Sequence, residues 1–327
     1  MAKDFSETKE IILRLTYLWA FTEGGLGGIM HLLHIPMTGF IIGGISVIIN
    51  VFIASYSKIN VRVMLSSLGL VLLCKFALSP HSPLGAYVAV GFQGLLAMSI
   101  FSLTGIKRWS ILLYAIIVML ENAIQKPIMA YLIFGDELIQ GILITVNKFF
   151  KNFENTESFL TGLTILYFAI YGVWGIVIGN WASAFLHTIE NLKLEIPVIN
   201  TSQNTTIARA NNHKKILISI LVFSAIFFFL FFYFSSARVH WTIYAAKAIV
   251  WFILLAFILP YLLRLILNYF MKKNESSVQH SLSFMPQIKE NFFLSFDLVQ
   301  KEKGISKIRN FIYYSIYLNV FQSSDES

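Results

Sequence analysis

The chain has 327 residues, of which 57% are apolar and 13% charged, with a net charge of +8. A soluble domain carries about 25% charged residues, so this chain lacks the polar surface that keeps a protein in water. The positive balance sits mostly in loops, which points to orientation in a membrane rather than to nucleic-acid binding. The single cysteine, Cys74, excludes an intramolecular disulfide and a thiolate metal cluster. The first ten residues are polar and of mixed charge, so no cleavable signal peptide is expected.

A helix needs ~20 apolar residues to cross a bilayer. The sequence predicts eight such spans, at 11–33, 37–57, 62–80, 83–105, 108–134, 158–186, 214–236 and 241–271. Polar punctuation separates them: His34-Ile35-Pro36, Ser57–Asn60, the two-proline turn Ser79–Pro83, and Gly105–Arg108. With eight spans, Lys3, Lys9, Arg14, Lys58, Arg62, Lys107, Arg108, Arg209, Lys214, Lys215, Lys272 and Lys273 all fall on one side. That places both termini in the cytoplasm. The stretch 137–153 is apolar at helical spacing but charged at both ends, and reads as an interfacial helix on the outer face.

The expected fold is therefore an all-α, polytopic membrane protein in four parts. Residues 1–190 form a six-span bundle with a substrate pocket, and 191–213 a polar cytoplasmic linker. Residues 214–271 form a two-span hairpin whose first helix, Phe223–Phe234, is crowded with phenylalanine. Residues 272–327 form a cytoplasmic tail whose apolar stretch Ile308–Phe321 predicts an amphipathic helix. No internal repeat stands out.

Ionisable residues inside a span are functional candidates by default, because burying them is costly. Glu23 sits mid-span in the first helix, within Glu23-Gly24-Gly25-Leu26-Gly27-Gly28. It reads either as a ligand contact or as a structural pair with Lys75. The glycines permit close helix packing, an unwound stretch, or both. His31 and His34, three apart, share a helix face near the outer surface. Two histidines do not make a metal site, which needs three or four ligands, so metal binding stays open.

In the fifth span, Glu121 and Gln125 lie one turn apart, as do Asn122 and Lys126, and Pro127 loosens the helix beyond them. Four polar groups on about one turn cannot all face lipid, so this is the strongest candidate ligand cluster. Tyr167, Tyr171 and Trp174 recur at helical spacing in the sixth span, as an aromatic wall or as ordinary packing. Gly172, Gly175 and Gly179 on that helix favour close contact with a neighbour. Trp19, Lys75 and Gln93 are further candidates to face the interior. The sequence holds no HExxH, G-x-S-x-G, Walker A or DDxxD motif, so the chain is not expected to be an enzyme, and no cofactor is predicted.

The small-residue-rich first helix, the outward first loop HLLHIPMTG (31–39) and the polar outer half of the fifth span, Glu121–Lys126, resemble the substrate-binding (S) components of energy-coupling factor (ECF) transporters. The resemblance covers about residues 9–190. It implies an outward-opening pocket for a small water-soluble, vitamin-like compound or a metal ion in a bacterial cytoplasmic (inner) membrane. Partners would be a transmembrane coupling subunit and two ATPases. It implies that Trp19, Glu23, His31 and His34 touch or gate the pocket, and that Glu121, Asn122, Gln125, Tyr167 and Tyr171 line it. Ala20, Gly24, Gly43 and Gly44 would form the coupling face. The hairpin and tail after 190 depart from that family's pattern. A proton-coupled secondary transporter and a non-transporting membrane assembly subunit are the competing readings.

Overall fold

The apolar stretches become helices, and short polar breaks set their ends. The structure is a computed structural model that describes residues 2–33, 38–80, 82–149, 156–191 and 257–321. Among these the fold is all-α, without a strand. Helix α1 (Ala2–Ala20) continues through a π-turn (Phe21–Leu26) into α2 (Gly27–Leu32). There follow α3 (Thr38–Tyr56), α4 (Val61–Leu78), α5 (Leu84–Thr104), α6 (Arg108–Phe134), α7 (Asp136–Phe149) and α8 (Thr156–Asn191). After the undescribed segment come α9 (Leu259–Lys273), α10 (Glu275–Ser283), α11 (Met285–Leu298) and α12 (Gly304–Val320).

Four of the described helices are long and apolar enough to cross a membrane: Thr38–Tyr56, Val61–Leu78, Leu84–Thr104 and Ser158–Ile189. The first and fifth expected spans fall outside that set. They are the two that carry Glu23 and Glu121. The expected interfacial helix forms as a separate element, α7, and is amphipathic. His34, the linker, the Phe223–Phe234 helix and most of the two-span hairpin lie outside the described residues.

Local chemistry explains the boundaries. The Asn60 side chain accepts from the backbone N–H groups of Arg62 (3.1 Å) and Val63 (3.3 Å), satisfying two of the donors that every helix start leaves free. Asn60→Ala is expected to lower stability by about 1 kcal/mol, which a thermal melt in detergent would register as a small fall in midpoint. Gly105 and Gly135 end α5 and α6 at φ 71° and 65°, a left-handed geometry that favours glycine.

Helix α3 is the hub. It packs on α1, α5, α6 and α8 and is buried almost throughout, from Ile42 to Ala54. Helices α1 and α4 run side by side in the same direction, pinned by Thr16 donating to Ser67 (2.9 Å) at one level and by Glu23–Lys75 at another. Helices α6 and α8 run antiparallel in close contact. A Cβ on Gly175 would stand 2.8 Å from the Ile116 Cα, and one on Gly179 3.1 Å from the Leu112 Cα. Gly172, by contrast, faces open space.

The C-terminal helices lie along the side of this assembly. Helices α9 and α10 pack on α4, and α12 packs on α1 and α8. Helices α11 and α12 form an antiparallel pair, with Asn291 donating to the Leu318 carbonyl (3.3 Å) and the Asn319 side chain (3.1 Å), and with Phe296 against Phe311. The tail is thus continuous with the bundle core rather than a free appendage. The apolar stretch Ile308–Phe321 forms most of α12 and does present one face to the bundle, through Ile312 and Ile316.

Candidate functional site

The glycine run does not unwind. The first helix passes through it as a π-turn, in which the Gly27 N–H donates to the Thr22 carbonyl five residues back. The turn buries Thr22, Glu23 and Gly24. Gly24 faces α4, where a Cβ would stand 3.1 Å from the Lys75 Cα, and Gly28 faces Ser79. Close approach of the two backbones is what brings the Lys75 side chain to Glu23.

The Lys75 ammonium donates to Glu23 Oε2 (2.8 Å) and to the Glu23 carbonyl (3.2 Å). The other carboxylate oxygen, Oε1, accepts from Ser46 Oγ (2.7 Å) on α3. Asn50 Nδ2 donates to the Ser46 carbonyl (2.9 Å) one turn away. Both charged side chains are almost fully excluded from solvent, at 2% and 5% exposure. The Glu23–Lys75 pair that the sequence offered is formed. Ser46 and Asn50 were missed in the sequence, although two polar residues four apart in so apolar a span are the signal that could have found them.

The second cluster lies on α6. Tyr114 OH donates to the Gln93 carbonyl (3.2 Å), and Gln125 Nε2 donates to the Gly85 carbonyl (2.6 Å), which fastens α6 to α5 at two levels. Between them lies Glu121, whose Oε2 is buried with no hydrogen-bond partner. Asn122 lies against Gly39 and Gly43 of α3, and its Nδ2 is likewise buried and unpartnered. Gln93 Oε1 and Trp19 Nε1 are two more such atoms, on side chains 2% and 1% exposed. Native interiors satisfy nearly all buried polar groups, so these four, of six such side-chain atoms among the described residues, need an explanation, such as bound water or a ligand.

The aromatic residues of α8 have partners within the chain. Tyr167 OH donates to the Ala123 carbonyl (3.1 Å), and Tyr171 meets Tyr167 and the edge of Phe40. Phe40 stacks on Trp174, whose Nε1 donates to the Phe40 carbonyl (3.0 Å). The four small residues expected at a coupling face are covered within the chain. Ala20 is fully buried, Gly24 faces Lys75 and Leu78, Gly43 faces Met119 and Asn122, and Gly44 faces Ile178 and Trp174. His31 lies in α2. No group of three or more His, Cys, Asp or Glu that could hold a metal ion occurs among the described residues.

The arrangement has a closed half and an open half. Glu23, Lys75 and Ser46 satisfy one another. Glu121, Asn122 and Gln93 offer unused acceptor and donor atoms. No family model matches the chain, and comparisons with curated proteins and with solved structures return no match.

Proposed function

We propose that the chain is a membrane-embedded binding component for uptake of a small water-soluble compound, energised by partner ATPases through a transmembrane coupling subunit. In this reading α1–α2 and α6 complete a six-span unit with the four long apolar helices, in a bacterial cytoplasmic membrane with both termini inside. The observation that carries it is the set of buried polar atoms without partners on α6 and its neighbours, Glu121 Oε2, Asn122 Nδ2 and Gln93 Oε1. A bundle needing only stability gains nothing from them, since each costs about 1–3 kcal/mol when unsatisfied. A cargo with complementary donors and acceptors would meet that cost.

Native mass spectrometry of the purified chain tests this reading. Wild type is expected to retain a small molecule that Glu121→Ala loses. No retained species, together with equal melting temperatures for both proteins across a panel of vitamins, would count against it. One observation favours a second reading, proton-coupled transport by the chain alone: the buried Glu23–Lys75 pair at a π-turn. Proton-coupled flux in vesicles holding only this chain would support that alternative.

A further inference from the structure

Helix α12 runs alongside α1 and α3, in the same direction as α3. At one end Phe321 meets Tyr56, the last residue of α3. Further back, Phe311 and Ile312 lie against Ile45 of α3 and Leu18 of α1. Gly304, which starts α12, is seven residues before Phe311, and Thr38, which starts α3, is seven before Ile45. Helices rise equally per residue, so the turn between α11 and α12 stands level with the start of α3. That is the membrane surface of the Ser79–Pro83 turn, opposite the one that carries Lys58 and Arg62.

The pair carries its charges toward its two ends. Lys289 and Glu290 follow Gln287 and Ile288, which lie beside Arg14. Lys301, Lys303, Lys307 and Arg309 lie at the turn or just behind it. Between these ends Phe293, Phe296, Ile305 and Ile308 are exposed. Apolar side chains at depth and cations near the surface suit a helix pair inserted in lipid.

Cations outnumber acids at the turn. Lys301, Lys303 and Arg309 are exposed and Lys307 is half-buried, against Asp297 and Glu302. Asn310 Nδ2 donates to both Glu302 oxygens (2.9 and 2.8 Å), so that carboxylate is already engaged. The Lys307 ammonium lies 5.1 Å from the centre of the Phe296 ring, its stem laid along an apolar face. Lys307 and Arg309 stand about 5 and 8 Å behind the start of α12, a depth from which long side chains reach the surface.

We infer that the α11–α12 pair is inserted in the bilayer and that its turn binds the head group of an anionic phospholipid. Lys301, Lys303 and Lys307 take the phosphate, and Phe296, Ile305 and Ile308 meet the acyl chains beneath it. Nothing in this inference rests on the cargo site at α6.

Native mass spectrometry of the full-length chain, in micelles doped equally with phosphatidylglycerol and phosphatidylcholine of matched acyl chains, tests the lipid site. Wild type is expected to carry phosphatidylglycerol about tenfold more often, since each cation near an anionic surface is worth about fivefold. The variant Lys301→Gln/Lys303→Gln/Lys307→Gln is expected to carry the two lipids equally. Equal adducts on wild type, an undiminished preference in the variant, or inorganic phosphate bound in place of the lipid would overturn the site. Labelling in sealed membrane vesicles tests the insertion. In a Cys74→Ala background, Lys301→Cys is expected to react with a membrane-impermeant maleimide from the side that labels Pro83→Cys. Reaction from the side that labels Arg62→Cys would overturn the placement. Loss of cargo binding in the Glu121 experiment leaves both outcomes untouched.

Discussion

Lys75→Met is expected to destabilise the bundle by about 3–5 kcal/mol, because it leaves the Glu23 carboxylate buried without its cation. The geometry supports the upper part of that range. Lys75 supplies two hydrogen bonds to Glu23, and after its loss only Ser46 remains on the carboxylate. Glu23 would then have to take up a proton or draw water into the packed interior. The double variant Lys75→Met/Glu23→Leu is expected to recover most of the loss, since a well-packed apolar pair often equals or exceeds a buried ion pair in stability. Thermal melts of wild type, the single variant and the double variant in one detergent decide the matter. A single variant as stable as wild type would mean that the pair contributes nothing. A double variant no better than the single would show that the loss does not come from an unpaired Glu23 carboxylate.

Gly175→Val is the second large effect, because the obstacle is backbone. A Cβ there would lie 2.8 Å from the Ile116 Cα and 3.1 Å from the Ala115 carbonyl oxygen, and neither can swing away as a side-chain end can. Relief requires α6 and α8 to separate, which also loosens Gly179 against Leu112 one turn along. Overpacking of a filled interior costs about 1–3 kcal/mol, occasionally more, and a β-branched side chain at this contact belongs at the high end. Gly172→Ala on the same helix meets nothing and is expected to be neutral or to gain up to about 1 kcal/mol from helix propensity. The contrast between the two, read as detergent melting temperatures, separates helix–helix approach from a general intolerance of substitution.

The helices and most of their ends were legible in the sequence, because a run of apolar residues between polar breaks leaves little choice. Contact through Gly175 and Gly179 was legible for a similar reason: small residues four apart on an apolar helix make a flat stripe. The interior environment of Trp19, Gln93 and Lys75 also followed from polarity alone, as did the offer of a Glu23–Lys75 pair. Other features depend on distances that sequence does not carry. A run of four glycines is equally consistent with an unwound segment and with a helix packed tightly on its neighbour. Only the approach of Gly24 to the Lys75 backbone decides for the helix. Helical spacing fits Tyr167 and Tyr171 to a pocket wall and to packing alike, and their contacts with the Ala123 carbonyl and the Phe40 ring are not written in the sequence. The position of α11–α12 beside α1 was not readable either, since an amphipathic stretch shows that one face is buried without showing against what.

The π-turn has a further meaning as a matter of phase. A π-turn is one residue more than an α-helix needs over the same rise, so the segments before and after Phe21–Leu26 are offset by about 100° around a common axis, one residue's share of a 3.6-residue turn. The surplus residue sets how Tyr17 and Leu18 below and Gly28 above are each aimed. Below, the helix serves α10–α12; above, it lies on Ser79. Deleting a single glycine from the turn would bring the two halves into register. Gly28 would then swing away from Ser79 while Leu18 stayed in place, so the two ends of one helix would compete for a single rotation.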